Sequence, residues 1–208
     1  AGHCLGGLLA SSHLACGSDR RISKYLSLNS PCDLSKLGKI REMARFLKVD
    51  ETVDFFGNIP AEQMKFLFQM INPALKMQAM TAIFFKSDPG FMRAYRALLK
   101  WREDHINMPG EFARTLLKDF FQENRLFEEK MSFFGKKASL KKIKVPVLNV
   151  VSENDDIAPM ASGQGLKEKV PQTEEMILPD GHLALTLLPV MGQDVLPFWK
   201  KLLDWILA

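Results

Sequence analysis

One cysteine, one aspartate and one histidine are the residues of this chain whose types and spacing could do acyl-transfer chemistry. Cys4 lies in Gly2-His3-Cys4-Leu5-Gly6-Gly7, a G-x-C-x-G pattern. The pattern predicts a sharp strand-to-helix turn that holds its nucleophile at the apex in a strained conformation. Gly2 and Gly6 are expected to be needed there, because a side chain at either would collide with the neighbouring strand or helix. Asp155 lies in Glu153-Asn154-Asp155-Asp156-Ile157-Ala158-Pro159, and His182 closes Pro179-Asp180-Gly181-His182. Asp156 competes with Asp155 as the acid. The acid of such a loop usually precedes its proline by four positions, which selects Asp155 and leaves Asp156 to point away or to cap the following helix. His3 adjoins the nucleophile and is expected to line the site, with its side chain directed away from that of Cys4.

A thiolate attacks thioesters readily, and the exchange is nearly isoenergetic. Cysteine therefore suits an enzyme that takes an acyl group from one thioester and passes it to a hydroxyl. His182 and the N-terminus of the next helix both favour the thiolate form of Cys4. The oxyanion hole would use the backbone N–H of Leu5 and a second N–H from a loop that this chain does not contain.

The elements that must position these residues follow from the pattern. Leu5 to Ala15 reads as a helix stopped by Gly17, and Lys24 to Asn29 alternates as a strand. Val145 to Val151 is a near-continuous apolar run, the mark of a buried parallel strand. Ala161 to Val170 reads as a helix, Thr173 to Leu178 as a strand and Val195 to Leu207 as an amphipathic helix. Asp155 and His182 each follow a strand, where open α/β sheets place their sites. The order nucleophile, acid, histidine is that of the α/β-hydrolases. Between these zones, 34–140 is helical, with periodic stretches at Ile40–Leu47, Ala61–Ile71, Phe91–Glu103 and Glu111–Leu126, broken by Pro60, Pro73, Pro89 and Pro109-Gly110. That is too long for a simple crossover. The expected architecture is an α/β-hydrolase core over 1–33 and 141–208 with an inserted helical cap over 34–140. The many phenylalanines of the cap (Phe55-Phe56, Phe66, Phe68, Phe84-Phe85, Phe120-Phe121, Phe133-Phe134) read as helix-packing core, or alternatively as an apolar channel or oligomer surface.

Composition bounds the rest. The 208 residues carry a net charge of +4, which is mild, and no basic and aromatic interleaving argues for nucleic acid. Lys136-Lys137 and Lys141-Lys142 read as a solvated face. Cys4, Cys16 and Cys32 form no metal-ligand spacing and no even disulfide framework, which fits a reducing compartment. Cys16 and Cys32 read as small buried hydrophobes, His13 as packed or exposed on its helix, and His105 as structural. No transmembrane segment is expected, and neither a metal nor a cofactor is implied.

The chain resembles the polyhydroxyalkanoate (polyester) synthases along essentially its whole length. Gly2 to Gly7 is similar to that family's lipase-like box with cysteine, with His3 where an aromatic Tyr is usual. Ser30-Pro31-Cys32-Asp33-Leu34 is loosely similar to a post-strand Asp-aromatic segment. Lys100-Trp101-Arg102-Glu103-Asp104, Pro109-Gly110 and Glu123-Asn124-Arg125-Leu126 resemble its cap signature. Asp155 to Pro159 resembles its acid loop, with Asp156 where His is common, and Gly181-His182 matches its histidine. The compact cap resembles the short, two-component members. The resemblance implies 3-hydroxyacyl-coenzyme A as substrate, free coenzyme A as product and a growing polyester held by the enzyme. It further implies a homodimer, a separate partner subunit, and a cytoplasmic location at the surface of polymer granules. Carried over, Cys4 is the nucleophile and His182 the general base, while Asp155 either orients His182 or assists the hydroxyl. A cysteine-type hydrolase or thioesterase of the same fold, and an inactive relative, are the alternatives.

The elbow normally lies near the middle of its domain. The chain is therefore expected to be the C-terminal portion of a longer one, supplying roughly the last three strands of the sheet. The strand at Lys24–Asn29 would then be an exposed edge, and the chain alone inactive and poorly soluble.

Overall fold

Chains of β-branched and aliphatic residues build the sheet that carries the candidate site. In a computed structural model, the residues described are 1–17, 19–71, 89–183, 185, 189 and 194–208; Pro73, Phe84-Phe85 and the side chain of Phe68 lie outside this description. Four parallel strands form the main sheet: β1 (Gly2–His3), β2 (Tyr25–Leu28), β3 (Val147–Ser152) and β4 (Thr173–Leu178), in that spatial order. β2 and β3 are buried along their whole lengths, as near-continuous apolar strands of a parallel sheet should be.

Two expectations change here. β2 is not an edge, because Gly2 and His3 pair with Ser27 and Leu28 while Tyr25 to Leu28 pair with Val147 to Val150 on the other side. The short run that leads into the cysteine is itself a strand, so among the described residues the sheet has four strands rather than three.

The chain divides into two compact units, Ala1–Phe55 with Glu111–His182, and Phe56–Gly110 with Leu183–Ala208. In the first unit, α1 (Leu5–Ala15) leaves the elbow and runs back beside the sheet, burying Leu8, Leu14 and Ala15. Tyr25 of β2 anchors its first turn, donating to the Gly7 carbonyl at 2.7 Å and accepting from Ser11 Oγ at 3.0 Å. Further along the chain come α2 (Lys39–Phe46) and α3 (Val49–Phe56), the latter a helix that the periodicity of the sequence did not single out.

The predicted helix Glu111–Leu126 differs in form. A short α-turn at Gly110–Ala113 continues as a π-helix over Arg114–Gln122, which closes with Glu123 N–H bonded to the Lys118 carbonyl. The widened turn ends in Asn124, whose φ of 53° is left-handed. Asn124 is buried, donates from Nδ2 to Asp33 Oδ1 at 2.8 Å, and accepts the Leu34 N–H at 3.0 Å. Burial works against the Asp33 carboxylate, but hydrogen bonds from Ser35, Asn124 and Lys36 hold its pKa below the usual range. Asn124 thus joins two segments ninety residues apart in sequence. Arg114 closes the outer part of this unit with ion pairs to Asp50 at 2.7 Å and Asp54 at 2.5 Å.

The second unit contains α4 (Ala61–Ile71) and α5 (Pro89–Glu103), joined by a two-residue antiparallel ladder of Asn58–Ile59 with Met108–Pro109. Asn107 Oδ1 accepts the Ala61 N–H and so caps α4. In the first unit, α6 (Met160–Lys169) packs against the sheet through glycines. A Cβ at Gly163 would lie 2.7 Å from Val151 Cγ1, and one at Gly165 would lie 2.7 Å from Asp33 Cβ. The terminal helix α7 (Leu196–Leu207) belongs to the second unit.

The phenylalanines divide. Phe120 is buried as the helix-packing reading requires, but Phe55, Phe66 and Phe134 are exposed, so the helical zone is not one continuous aromatic core. Among the described residues no helix is long and apolar enough to cross a membrane.

Candidate active site

Cys4 sits at the junction of β1 and α1 with φ 52° and ψ −124°, a conformation that L-residues rarely adopt. Such a residue costs about 1–3 kcal/mol and persists only where its surroundings over-determine it. Here they do. The Cys4 N–H donates to the Leu28 carbonyl at 2.9 Å, and its own carbonyl accepts from Gly7 N at 3.0 Å and Ser30 Oγ at 2.8 Å. Leu5 opens α1, so its N–H has no acceptor within the helix and is free to serve as the oxyanion donor expected of it.

The glycine requirement is partly corrected. A Cβ at Gly2 would lie 2.6 Å from the Gly7 Cα, as expected. A Cβ at Gly6 would meet nothing within 4 Å, whereas one at Gly7 would lie 2.4 Å from Ser30 Oγ. The turn needs Gly2 and Gly7, because it brings these two backbones together and presses Gly7 onto the end of β2. Gly6 is exposed.

Asp155 and His182 come from the loops after β3 and β4 and meet in the interior. His182 Nδ1–H donates to Asp155 Oδ2 at 2.7 Å, and the Asp155 side chain is wholly buried. The other carboxylate oxygen accepts the Ile157 and Ala158 N–H groups at 2.9 and 2.7 Å. Asp155 therefore takes the turn-closing role, and Asp156 is exposed without capping α6, whose N-cap makes no side-chain hydrogen bond. The two loops are also stitched together, since Asn154 N–H donates to the Asp180 carbonyl and Asn154 Nδ2 to that of Pro179.

Burial favours the neutral imidazole of His182, but hydrogen bonds to Asp155 and to the Cys4 side chain outweigh it and raise the pKa to about 9. Cys4 is thus among the groups that act on His182, and Asp155 is the one whose bond to it is direct.

His3 lies beside His182, with ring centroids 5.2 Å apart, and its Nε2–H donates to the His182 carbonyl at 3.4 Å. Burial, and then the charge of His182, lower its pKa. Of the other candidates, His13 is exposed and bonded to Asp19, and Cys16 is only half-buried, donating to the Ser12 carbonyl. Cys32 is buried, which pushes its thiol up. Sequence reasoning missed Asn29 and Ser30. The visible signal was two polar residues at a strand end, Asn29 read as the last residue of the strand and Ser30 as the first of the loop after it.

His182 has its ordinary pKa of 6.5 in the unfolded chain and about 9 when folded, so its contribution to stability is fully present below pH 6.5 and is lost as pH rises through 9. Chemical unfolding at pH 6 and pH 9.5 should reveal a loss of order 3 kcal/mol that His182→Gln removes. Parallel pH dependence in the two proteins would contradict the buried ion pair.

No protein-family model matches the chain. Curated proteins do. It is 23% identical over 210 residues to the poly(3-hydroxyalkanoate) polymerase subunit PhaC of Haloarcula marismortui, covering 98% of this chain and 44% of that protein. It is 25% identical over 208 residues to the subunit of the same name from Allochromatium vinosum, covering 98% and 58%. The chain thus spans about half the length of the curated relatives it matches. Among solved structures, an esterase from a Rhodococcus species matches with TM-score 0.55 at 14% identity, over 100% of this chain and 64% of that one. A hydrolase from Pseudomonas aeruginosa matches with TM-score 0.51 at 16% identity, over 100% and 63%. These structures bear on the fold, which is that of an α/β-hydrolase. In sequence the chain is similar to curated poly(3-hydroxyalkanoate) polymerase subunits, and in fold to α/β-hydrolases.

Proposed function

We propose that the protein to which this chain belongs is an acyltransferase that polymerises 3-hydroxyacyl-coenzyme A through a thioester on Cys4. The observation that carries the reading is the buried Asp155–His182 pair beside a cysteine at a left-handed elbow, in a chain whose relatives are named polymerases. His182, its pKa raised to about 9, holds the proton of the Cys4 thiol as an imidazolium, and the thiolate Sγ attacks the substrate thioester carbonyl. The carbon–sulfur bond to coenzyme A breaks, and the leaving thiolate takes that proton back from His182. The 3-hydroxyl of the next unit, or of the growing chain, then attacks the Cys4 thioester. His182 accepts the hydroxyl proton and returns it to the Cys4 sulfur as the new ester forms.

The N–H of Leu5 stabilises the oxyanion in both halves. Both oxygens of Asp155 are committed, one to His182 and one to backbone N–H groups, which supports an orienting role for it rather than direct action on the hydroxyl. The reading includes an inserted helical cap within 34–140, of which Phe56–Gly110 lies in a compact unit other than the one that carries Cys4, Asp155 and His182. A homodimer, a second subunit and a place on polymer granules belong to the same reading.

Incubating the natural polypeptide that carries this sequence with 3-hydroxybutyryl-coenzyme A tests it. Mass spectrometry should find hydroxybutyrate oligomers, and a covalent hydroxybutyryl mass on Cys4 that is absent in Cys4→Ala. Free 3-hydroxybutyrate alone would instead make the protein a hydrolase.

A further inference from the structure

The three proposed catalytic residues stand on three different loops, yet all three loops are tied to a fourth segment that carries none of them. Leu28, Asn29 and Ser30, at the end of β2, hold the site from below. The Leu28 carbonyl accepts the Cys4 N–H at 2.9 Å, and Ser30 Oγ donates to the Cys4 carbonyl at 2.8 Å. Asn29 does the rest. Its backbone N–H donates to the Val150 carbonyl at 2.8 Å, and its Oδ1 accepts from Ser152 Oγ at 3.0 Å, at the last residue of β3 before the Asp155 loop. Its Nδ2 donates to the His182 carbonyl at 2.9 Å. Asn29 is 2% exposed, and its φ of 42° is a left-handed conformation that asparagine tolerates better than most residues.

We infer that Asn29 is a positioning residue that sets the placement of His182 between Asp155 and Cys4, acting through the His182 backbone. This rests on the proposed role of His182. The physical reason is geometric. The imidazole must meet Asp155 on one nitrogen and Cys4 on the other, and the loop after β4 that carries it ends at the boundary of its unit. Displacing a catalytic group by about 1 Å costs on the order of 100-fold in rate. A backbone carbonyl held by a buried amide prevents that displacement. His3 Nε2–H reaches the same carbonyl at the longer distance of 3.4 Å and is the weaker of the two ties. Serine or alanine at position 29 would leave the carbonyl without its buried donor. Aspartate, of equal size, would set a carboxylate oxygen against it.

The test uses Asn29→Asp and Asn29→Ser in the natural polypeptide, with Ser152→Ala as a milder variant that removes only the hydroxyl on Asn29 Oδ1. Peptide-resolved mass spectrometry follows alkylation of Cys4 by iodoacetamide from pH 5 to pH 10. This reads the His182–Cys4 interaction without any acyl substrate. The groups around His182 that enter the profile are Asp155, Cys4 and His3. Asn29→Asp and Asn29→Ser are expected to slow Cys4 alkylation at pH 7 by about 10- to 100-fold. They should also move the histidine-dependent step of the profile toward the ordinary histidine value, with a smaller shift in the same direction in Ser152→Ala. Release of coenzyme A should fall with kcat while KM stays near wild type.

A role limited to stability would lower the melting temperature and leave the profile where it was, and that result overturns the inference. If the position-29 variants do not fold, the Ser152→Ala profile decides: an unshifted step overturns the inference, a shifted one upholds it. If no variant, wild type included, releases coenzyme A while the alkylation profile still shifts, the substrate reading fails and the positioning role stands.

Discussion

Replacing His182 by glutamine in the natural polypeptide is expected to lower coenzyme A release from 3-hydroxybutyryl-coenzyme A by about 10³- to 10⁴-fold. His182 bonds the buried Asp155, and its pKa, raised to about 9 by hydrogen bonds to Asp155 and Cys4, lets it hold the proton that the proposed nucleophile gives up. Glutamine can keep a hydrogen bond to the buried Asp155 but cannot take up a proton, so the thiol loses its base and the departing coenzyme A loses its acid. Contacts that bind the substrate elsewhere are untouched, so the loss should fall on kcat with KM within a few-fold of wild type. Single-turnover measurement should find no acyl-enzyme on the catalytic timescale. Release at the wild-type rate would remove His182 from the chemistry, and with it the reading of the Asp155 pair as catalytic.

Alanine at Gly7 and alanine at Gly6 should have opposite effects, although the cysteine motif pairs Gly2 with Gly6. At Gly7 the new methyl would lie 2.4 and 2.5 Å from Ser30 Oγ and Cβ and 3.0 Å from the Gly2 carbonyl oxygen. Ser30 cannot move aside without releasing its hydrogen bond to the Cys4 carbonyl, and the Gly2 backbone is fixed in β1. Overpacking of this kind costs about 3 kcal/mol. Here it would also tilt the elbow, so activity should fall even where the protein stays folded. At Gly6 the methyl would enter open space on an exposed position of α1, where alanine is the better helix former by about 1 kcal/mol. Denaturant titration of both variants measures the difference. Equal destabilisation by the two would mean that the close approach of Gly7 to Ser30 is not what constrains the turn.

Much of the site was legible because acyl-transfer chemistry needs particular residue types at strand ends, and strand ends are visible in the pattern of apolar runs. Val147 to Ser152 and Thr173 to Leu178 announce themselves by composition, so Asp155 and His182 could be placed just past them. The choice of Asp155 over Asp156 likewise followed from its spacing to Pro159, and Asp155 is the one whose buried carboxylate bonds His182. The helical zone was less legible. Its periodicity marked the stretch after Pro109-Gly110 as a helix but could not distinguish α from π winding, because both repeat apolar residues at nearly the same interval. The helix over Val49–Phe56 was missed because its polar residues mask the apolar stripe.

The sequence by itself determined the candidates for nucleophile, acid and base, their order along the chain, and the parallel α/β frame, since these depend on residue type and local periodicity. Tertiary structure alone decided which glycine the elbow cannot give up, which strand lies at the edge, and that Asn29, Ser30 and Asn124 hold distant loops in register. Those outcomes depend on close approach between segments far apart in the chain: Gly7 against Ser30, Asn29 against His182, Asn124 against Asp33. A hydrogen bond or a steric limit across such a distance leaves no periodicity in the sequence, because its partner is chosen by the fold and not by the neighbouring residues.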